Sequence, residues 1–297
     1  MIRKYIPEWI KEPYRRVRAK LLSIGLGQSM DIVQPREEIL ASSDISVIIA
    51  IHDSPKVTRR CLESVEKYGA NAQIILVDDG SRLQETIDIV HEYQERNGWP
   101  VIRHDKALGH SRSCEEAAQP ATKPYLCFLN SDTVLTPYTF GGVKEAFESD
   151  PKIAVVGPST SRSIPKQTIR RAECCRNYWT NNQIYAFAKK YILKQRPRSW
   201  VDLVAVGGFA FFIRRSIWEE MGGFDSNLPD YGNESELCRR LSRRGYRIIW
   251  TKNSYVHHFG QRSYGQVMTL ADINLKRLRA KDYIERKMHQ QGDYRRY

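Results

Sequence analysis

Three short apolar runs in this 297-residue chain stop at polar groups rich in carboxylates. Val47-Ile48-Ile49-Ala50-Ile51 stops at His52-Asp53, Ile74-Ile75-Leu76-Val77 at Asp78-Asp79, and Tyr125-Leu126-Cys127-Phe128-Leu129 at Asn130-Ser131-Asp132. Strand ends of one sheet share a rim, so these acids are placed to hold a divalent cation or orient a polar ligand. Asp132, after a wholly apolar run, is a hard oxygen ligand suited to Mg²⁺ or Mn²⁺. A metal there would neutralise the charge that develops on a departing diphosphate. One Asp does not hold a metal alone, and His257-His258, after the run from Tyr246 to Trp250, offers a neutral imidazole to complete the set. Structural roles compete with each reading: a helix N-cap for Asp53, a hydrogen-bonded loop for His258. Glu234 and Glu236 open a helical stretch, where an acid either serves as a general base or favours the helix dipole.

For these residues to meet, the runs must lie side by side in one sheet. Val57, Cys61, Leu62, Val65 and Tyr68 recur at helix spacing after the first run, and a helical pattern from Leu83 to Arg96 follows the second. A short strand at Val101-Ile102, a helix after Gly109, another from Tyr138 to Phe147 and a strand from Ile153 to Val156 continue the alternation. Apolar strands between helices predict an α/β fold, a mostly parallel sheet of Rossmann type flanked by helices on both faces. Residues 159–199 are polar, basic and aromatic without a clear period, and are expected to form an insertion or long loop. Order resumes at Phe209-Ala210-Phe211-Phe212-Ile213. Ser216 to Glu219 reads as a capping box opening a helix that ends near Gly222-Gly223, and Glu234 to Arg244 as a helix with Gly245 just past its end.

The ordered set Val47-Ile48-Ile49, Val77-Asp78-Asp79-Gly80-Ser81, Phe128-Leu129-Asn130-Ser131-Asp132-Thr133, Gly222-Gly223-Phe224-Asp225, Tyr231-Gly232-Asn233-Glu234-Ser235-Glu236 and His258-Phe259-Gly260-Gln261-Arg262-Ser263 resembles glycosyltransferase family 2, in its bacterial rhamnosyltransferase-like branch. The resemblance implies a GT-A fold over residues 44–265; outside it, the basic amphipathic pattern of residues 1–43 and the basic helical pattern of residues 266–297 read as helical extensions. The resemblance also implies an inverting, metal-dependent transfer of a sugar from a nucleoside-diphosphate donor to a hydroxyl of a glycan, lipid-linked or protein acceptor, as in cell-surface polysaccharide synthesis. Asp79 matches the acid that contacts the nucleotide base, with Asp78 beside it and Ala50 to His52 lining the same pocket. Asp132 matches the last acid of the DxD-type metal motif, Ser131 standing before it, and His258 the histidine of an H-x-G-x-x-S pattern as a second metal ligand. Glu234 matches the general base, Gly207 and Gly208 a tight loop approaching the sugar, and Arg112 a stretch near the diphosphate. Two positions depart from the pattern: Asn130 replaces the first acid of the metal motif, and Asn233-Glu234 replaces a Glu-Asp pair. A catalytically weak nucleotide-sugar binder is the alternative these asparagines raise.

Composition sets the remaining bounds. A hydrophobic fraction of 41% supports a sizeable core, and six cysteines without CxxC spacing argue against a zinc or disulfide framework. The formal charge of +13 suits an anionic partner. No nucleic-acid motif accompanies it, so nucleic acid is not expected, although a basic nucleic-acid-binding protein is the rival class. Basic and aromatic residues interleave over residues 1–22, which suits either a membrane interface or a helix docked on the domain. With no membrane-spanning run and no secretory leader, the expected location is the cytoplasm, at the inner membrane face if that segment binds lipid.

Overall fold

The computed structural model describes residues 35–164, 166–169, 180–260 and 269–290. The expected membrane segment at 1–22 and Gln261, Arg262 and Ser263 of the histidine motif lie outside the described residues. Ten strands are described: β1 Ile45–Ile51, β2 Gln73–Asp78, β3 Val101–Arg103, β4 Tyr125–Asn130, β5 Thr133–Val134, β6 Ile153–Ser159, β7 Trp200–Asp202, β8 Ala210–Arg214, β9 Arg247–Tyr255 and β10 His257–His258. The helices are α1 Arg36–Ser42, α2 Pro55–Tyr68, α3 Gln84–Asn97, α4 His110–Ala118, α5 Gly141–Ser149, α6 Asn181–Ile192, α7 Arg215–Met221, α8 Asn233–Arg243 and α9 Leu270–Gln290.

The main sheet has the order β3-β2-β1-β4-β8-β6-β9-β7, and β5 pairs with β10 in a separate ribbon. Strands β3, β2, β1 and β4 are parallel neighbours, whereas β8 is inserted antiparallel between β4 and β6, and β7 runs antiparallel to β9. Every other strand of that sheet runs in one direction, the mostly parallel α/β arrangement expected. Successive side chains of a strand point to opposite faces. Accordingly Val47, Ile49 and Ile51 join one core with α2, α3, α5 and α6, while Ile48 joins a second core with α4, α7 and α8. A continuously apolar strand is therefore explained by a sheet covered on both sides.

Several local readings are corrected. The polar stretch expected as a long loop contains α6, whose N-terminus is closed by a capping box between Thr180 and Gln183. Its buried residues, Ile184, Tyr185 and Ala188, recur at helix spacing and form the face turned to the core. Ser216 lies inside α7 and makes no cap, since the N-cap residue is Arg214. The α7 end at Gly222 and the position of Gly245 past α8 are as expected.

The described parts of the segments expected as extensions, residues 35–43 and 269–290, are packed against the domain. Glu38 of α1 accepts the Phe140 and Gly141 N–H groups at the start of α5, at 2.5 and 2.7 Å. Helix α9 buries Ala280, Ile284 and Met288 against Leu228, and Gly232 lies under it so closely that a Cβ would come within 2.8 Å of Ile284 Cδ1. Lys287 of α9 reaches Asp225 and the fully buried Glu236, 2.6 Å from each. Burial disfavours charge on Asp225, but hydrogen bonds from Lys287, the Asn227 N–H and Tyr283 outweigh it and hold its carboxyl well below the usual range. Such a depressed acid stabilises the fold at neutral pH, and that stabilisation is lost as pH falls below its unfolded value. Lys287→Met is accordingly expected to lower stability by about 1–3 kcal/mol near neutral pH. In urea unfolding the difference from wild type should shrink as pH is lowered from about 6 toward about 2; a constant difference would detach Lys287 from this ion cluster.

Candidate functional site

A cleft of about 500 Å³ opens where β1, β2 and β4 end. Of the residues singled out in the sequence, Ala50, His52, Asp79, Ser131, Asp132, Gly208, Glu234 and His258 line it. Asp78, Gly207 and Arg112 do not. Asp78 is buried, accepting from the Ser81 N–H at 2.9 Å and pairing with Arg103, so its carboxylate braces the turn after β2. Gly207 donates its N–H to Gln167 at 2.7 Å behind the cleft wall. Arg112 sits one helical turn before Glu116, pairs with it at 2.9 Å and borders a separate surface groove.

Asp132 and His258 are brought together by the β5–β10 ribbon, in which His258 is registered with Thr133 and the Phe259 N–H donates to the Asp132 carbonyl at 3.0 Å. His258 Nδ1 lies 2.5 Å from the Arg162 carbonyl. A carbonyl only accepts, so Nδ1 carries the hydrogen and the second nitrogen is free to bind an electrophile, the tautomer usual in metal-ligating histidines. That second nitrogen faces Asp132 Oδ1 at 3.2 Å. A lone pair against a carboxylate oxygen repels unless a proton or a cation lies between them. The pair therefore fits a divalent ion, with one hard oxygen and one imidazole nitrogen. Among the described residues no group of three or more His, Cys, Asp or Glu side chains gathers in this way.

Glu234 stands in the first turn of α8 with its carboxylate against Gly208. Burial raises its pKa, with His110 and its own backbone N–H acting in the opposite sense. Glu236, its rival in sequence, is fully buried and points elsewhere: Arg240 donates to both of its oxygens at 2.9 and 2.8 Å, and Lys287 to one. The next residue after Gly208 completes the wall. The Phe209 ring stacks on the His258 imidazole, centroids 5.2 Å apart, so one dipeptide touches both the carboxylate of Glu234 and the ring of His258.

The carboxylate expected to read a base has other work. Asp79 accepts the Leu108 N–H at 2.7 Å and the Gly109 N–H at 2.9 Å, and contacts His104 Nδ1 at 2.8 Å. Burial disfavours charge on His104, yet its hydrogen bonds to Asp79 and Glu116 prevail and raise its pKa. Asp79 thus braces the loop before α4. Asp53 is not the helix N-cap weighed for it, since Ser54 holds that position before α2; its carboxylate instead accepts the Arg82 and Leu83 N–H groups at the entrance to α3 at 2.9 and 2.8 Å. The cleft also contains His110, Arg162 and Arg277, which sequence reasoning missed, and Tyr231, which it quoted in a motif without a role. His110 follows Gly109 directly and Tyr231 stands three residues before Glu234, so proximity to recognised positions was a usable signal. Arg277 had none, because it arrives on α9, where its guanidinium lies 5.2 Å from the Tyr231 ring centroid and Lys276 pairs with Asp230 at 2.6 Å.

The model of the family described as "Glycosyl transferase family 2" matches residues 46–221. An O-antigen biosynthesis protein, RfbC of Myxococcus xanthus, is 20% identical over 250 residues, spanning 78% of this chain and 19% of the relative. Two solved structures share the fold. GalNAc-T7 with UDP, GalNAc and Mn²⁺ has a TM-score of 0.55 at 17% identity, covering 86% of this chain and 53% of that one. The mannosyltransferase PcManGT of Pyrobaculum calidifontis, in complex with GDP-Man and Mn²⁺, has a TM-score of 0.52 at 14% identity, covering 83% and 64%. The chain thus spans less than two thirds of each of these proteins, and the architecture is that of the GT-A glycosyltransferases.

A Cβ added at Gly208 would lie 1.7 Å from Glu234 Oε1 and 2.4 Å from its Cδ. The obstructing atoms end a flexible side chain, so Gly208→Ala is expected to retain the fold and melting temperature while rotating the Glu234 carboxylate away. A crystal structure of the variant showing Glu234 in its original rotamer would refute the contact.

Proposed function

The chain belongs to glycosyl transferase family 2, and on that premise we propose that it is an inverting glycosyltransferase moving a sugar from a nucleoside diphosphate to an acceptor hydroxyl. The observation that carries this reading is the Gly208-Phe209 wall, which sets Glu234 and the Asp132–His258 pair in one cleft. Asp132 and His258 would hold Mg²⁺ or Mn²⁺, which supplies charge neutralisation to the departing diphosphate. Glu234 takes the proton of the acceptor hydroxyl as that oxygen attacks the anomeric carbon on the face opposite the diphosphate. One displacement forms the new glycosidic bond, breaks the bond to phosphate and inverts the centre. Burial makes Glu234 a stronger base than an exposed glutamate, and the rigid walls hold the two reactants in line.

The UDP, GDP-Man and Mn²⁺ in the related structures support a nucleotide-sugar donor and a divalent ion, and the O-antigen relative supports cell-surface polysaccharide as the acceptor class. Asn233, which raised the possibility of a weak binder, has a structural task. Its amide donates to Ser111 Oγ at 2.7 Å and approaches His110, tying α8 to α4 without displacing Glu234. Among the described residues no helix is long and apolar enough to cross a membrane.

Sugar transfer or donor hydrolysis, followed across a panel of nucleotide sugars with and without Mn²⁺, tests the assignment. Asp132→Ala and His258→Ala should each abolish the metal-stimulated rate while remaining folded. Full activity of Asp132→Ala in metal-free buffer would sink the metal role.

Glu234→Gln should leave donor affinity unchanged and lower turnover by roughly 10² to 10⁴, the range of general base catalysis. Because the base must be ionised, turnover of the wild type should fall as pH drops through a value above the ordinary glutamate range. Near-normal turnover of Glu234→Gln would require another base; Glu236→Gln, by contrast, should show its loss in stability.

A further inference from the structure

We propose that Arg277 forms an anion subsite on the acceptor side of the cleft, so that the acceptor carries an oxyanion, a carboxylate or a phosphate, near the hydroxyl that receives the sugar. This rests on the reading of the cleft as a glycosyltransferase site and adds the charge class of the acceptor. Under that reading different residues mark the two ends of the cleft. Asp132 and His258 mark the leaving diphosphate, and Glu234 marks the attacking hydroxyl, because the displacement runs in line.

Two arginines line the cleft, and they sit at these two ends. Arg162 belongs to the first: its carbonyl holds the His258 ring, and its side chain packs on Gly260, where a Cβ would lie 2.4 Å from Arg162 Cδ. It is the cation at hand for the diphosphate. Arg277 belongs to the second. Its guanidinium lies 5.2 Å from the ring centroid of Tyr231, which stands just before Gly232, the N-cap residue of α8, and so beside the turn that carries Glu234. A single displacement sends the leaving group to the metal end, so an anion at the Glu234 end comes with the acceptor.

The fold fixes Arg277 in this position from both sides. One residue before it, Lys276 pairs with Asp230 at 2.6 Å. Three residues after it, Ala280 is buried over Gly232, where a Cβ would come within 3.3 Å of Ala280 Cβ. Stacking on Tyr231 uses the face of the guanidinium, whereas its N–H donors lie in its plane, the geometry that grips a carboxylate or phosphate by two parallel hydrogen bonds. Asp230, the acid next to Tyr231 in sequence, is already engaged by Lys276. The ring and the helix thus hold a cation at the edge of the cleft where the acceptor must enter.

An array of bacterial glycans in neutral, uronic-acid-bearing and phosphate-bearing groups tests the proposal, probed with the full chain in Mn²⁺ and whichever of UDP, dTDP, GDP, CDP and ADP binds best. The tightest-bound glycans should be charged, and reducing their carboxyls to alcohols or removing their phosphates should weaken binding at least about tenfold, the worth of a charge-assisted pair. The treatment that acts tells carboxylate from phosphate. Arg277→Met should erase that difference and Arg277→Lys restore part of it, while nucleotide dissociation constants stay within about twofold of wild type in both. Arg279→Met removes the same charge from an exposed site on α9 outside the cleft and should keep the preference, which separates a subsite from the general attraction of a chain of formal charge +13. Tightest binding of neutral glycans, binding of no glycan, an equal loss in Arg279→Met, an unchanged preference in Arg277→Met, or a loss of nucleotide affinity in that variant would each overturn the anion subsite and leave the donor reading standing. Failure of all five nucleotides to bind wild type would overturn both.

Discussion

The short ribbon between β5 and β10 is the constraint around which the cleft is organised. Thr133 and His258 are registered across it, and the Phe259 N–H closes it onto the Asp132 carbonyl. It forces an acid from the end of β4 against an imidazole from the far end of the chain, at a separation that repels without an intervening proton or cation. Fixed backbone pairing withstands that repulsion because releasing it would expose the buried His257, Val134 and Phe259 and leave main-chain groups unpaired. The Arg162 carbonyl then orients the ring, so side-chain direction, tautomer and separation all follow from backbone contacts.

The opposite wall depends on charge buried near the start of α8. Glu234 and Glu236 are two residues apart on one helix, about 200° around its axis, and the fold uses that angle to divide their environments. Glu236 turns inward to Arg240 and Lys287, while Glu234 turns to the cleft beside Gly208. The cation completing the inner cluster comes from α9, and the same helix carries Arg277 to the cleft. Helix α9 thus contributes both to the buried ion cluster and, through Arg277, to the lining of the cleft.

The Gly208-Phe209 dipeptide couples these halves. Phe209 stacks on His258 and Gly208 leaves the volume that Glu234 occupies, while the Asn130 N–H donates to the Phe209 carbonyl at 3.0 Å and anchors the dipeptide to β4. A glycine is needed for lack of a side chain, since any Cβ would collide with the carboxylate. Strand β8, inserted antiparallel into an otherwise parallel region, delivers this dipeptide to the rim where β4 ends.

What the sequence determined by itself was whatever a single element records. Apolar runs such as those of β1 and β4 declare strands covered on both faces, and acids following them declare the rim. Asp132, His258 and Glu234 were readable because each stands at the edge of a recognisable element. The tertiary structure alone decided which acids remain available for chemistry. Asp78 and Asp79 are adjacent and chemically alike, yet one is buried under Arg103 and the other braces the loop before α4. Arg112 pairs along its own helix, whereas Arg277 reaches the cleft from a segment with no local sign of it. The physical reason is that burial periodicity is a property of neighbours along the chain, while the partner of a charged group is set by packing between elements distant in sequence. Hydrogen bonds to backbone atoms, such as the one that fixes the His258 ring, exist only once those elements have met.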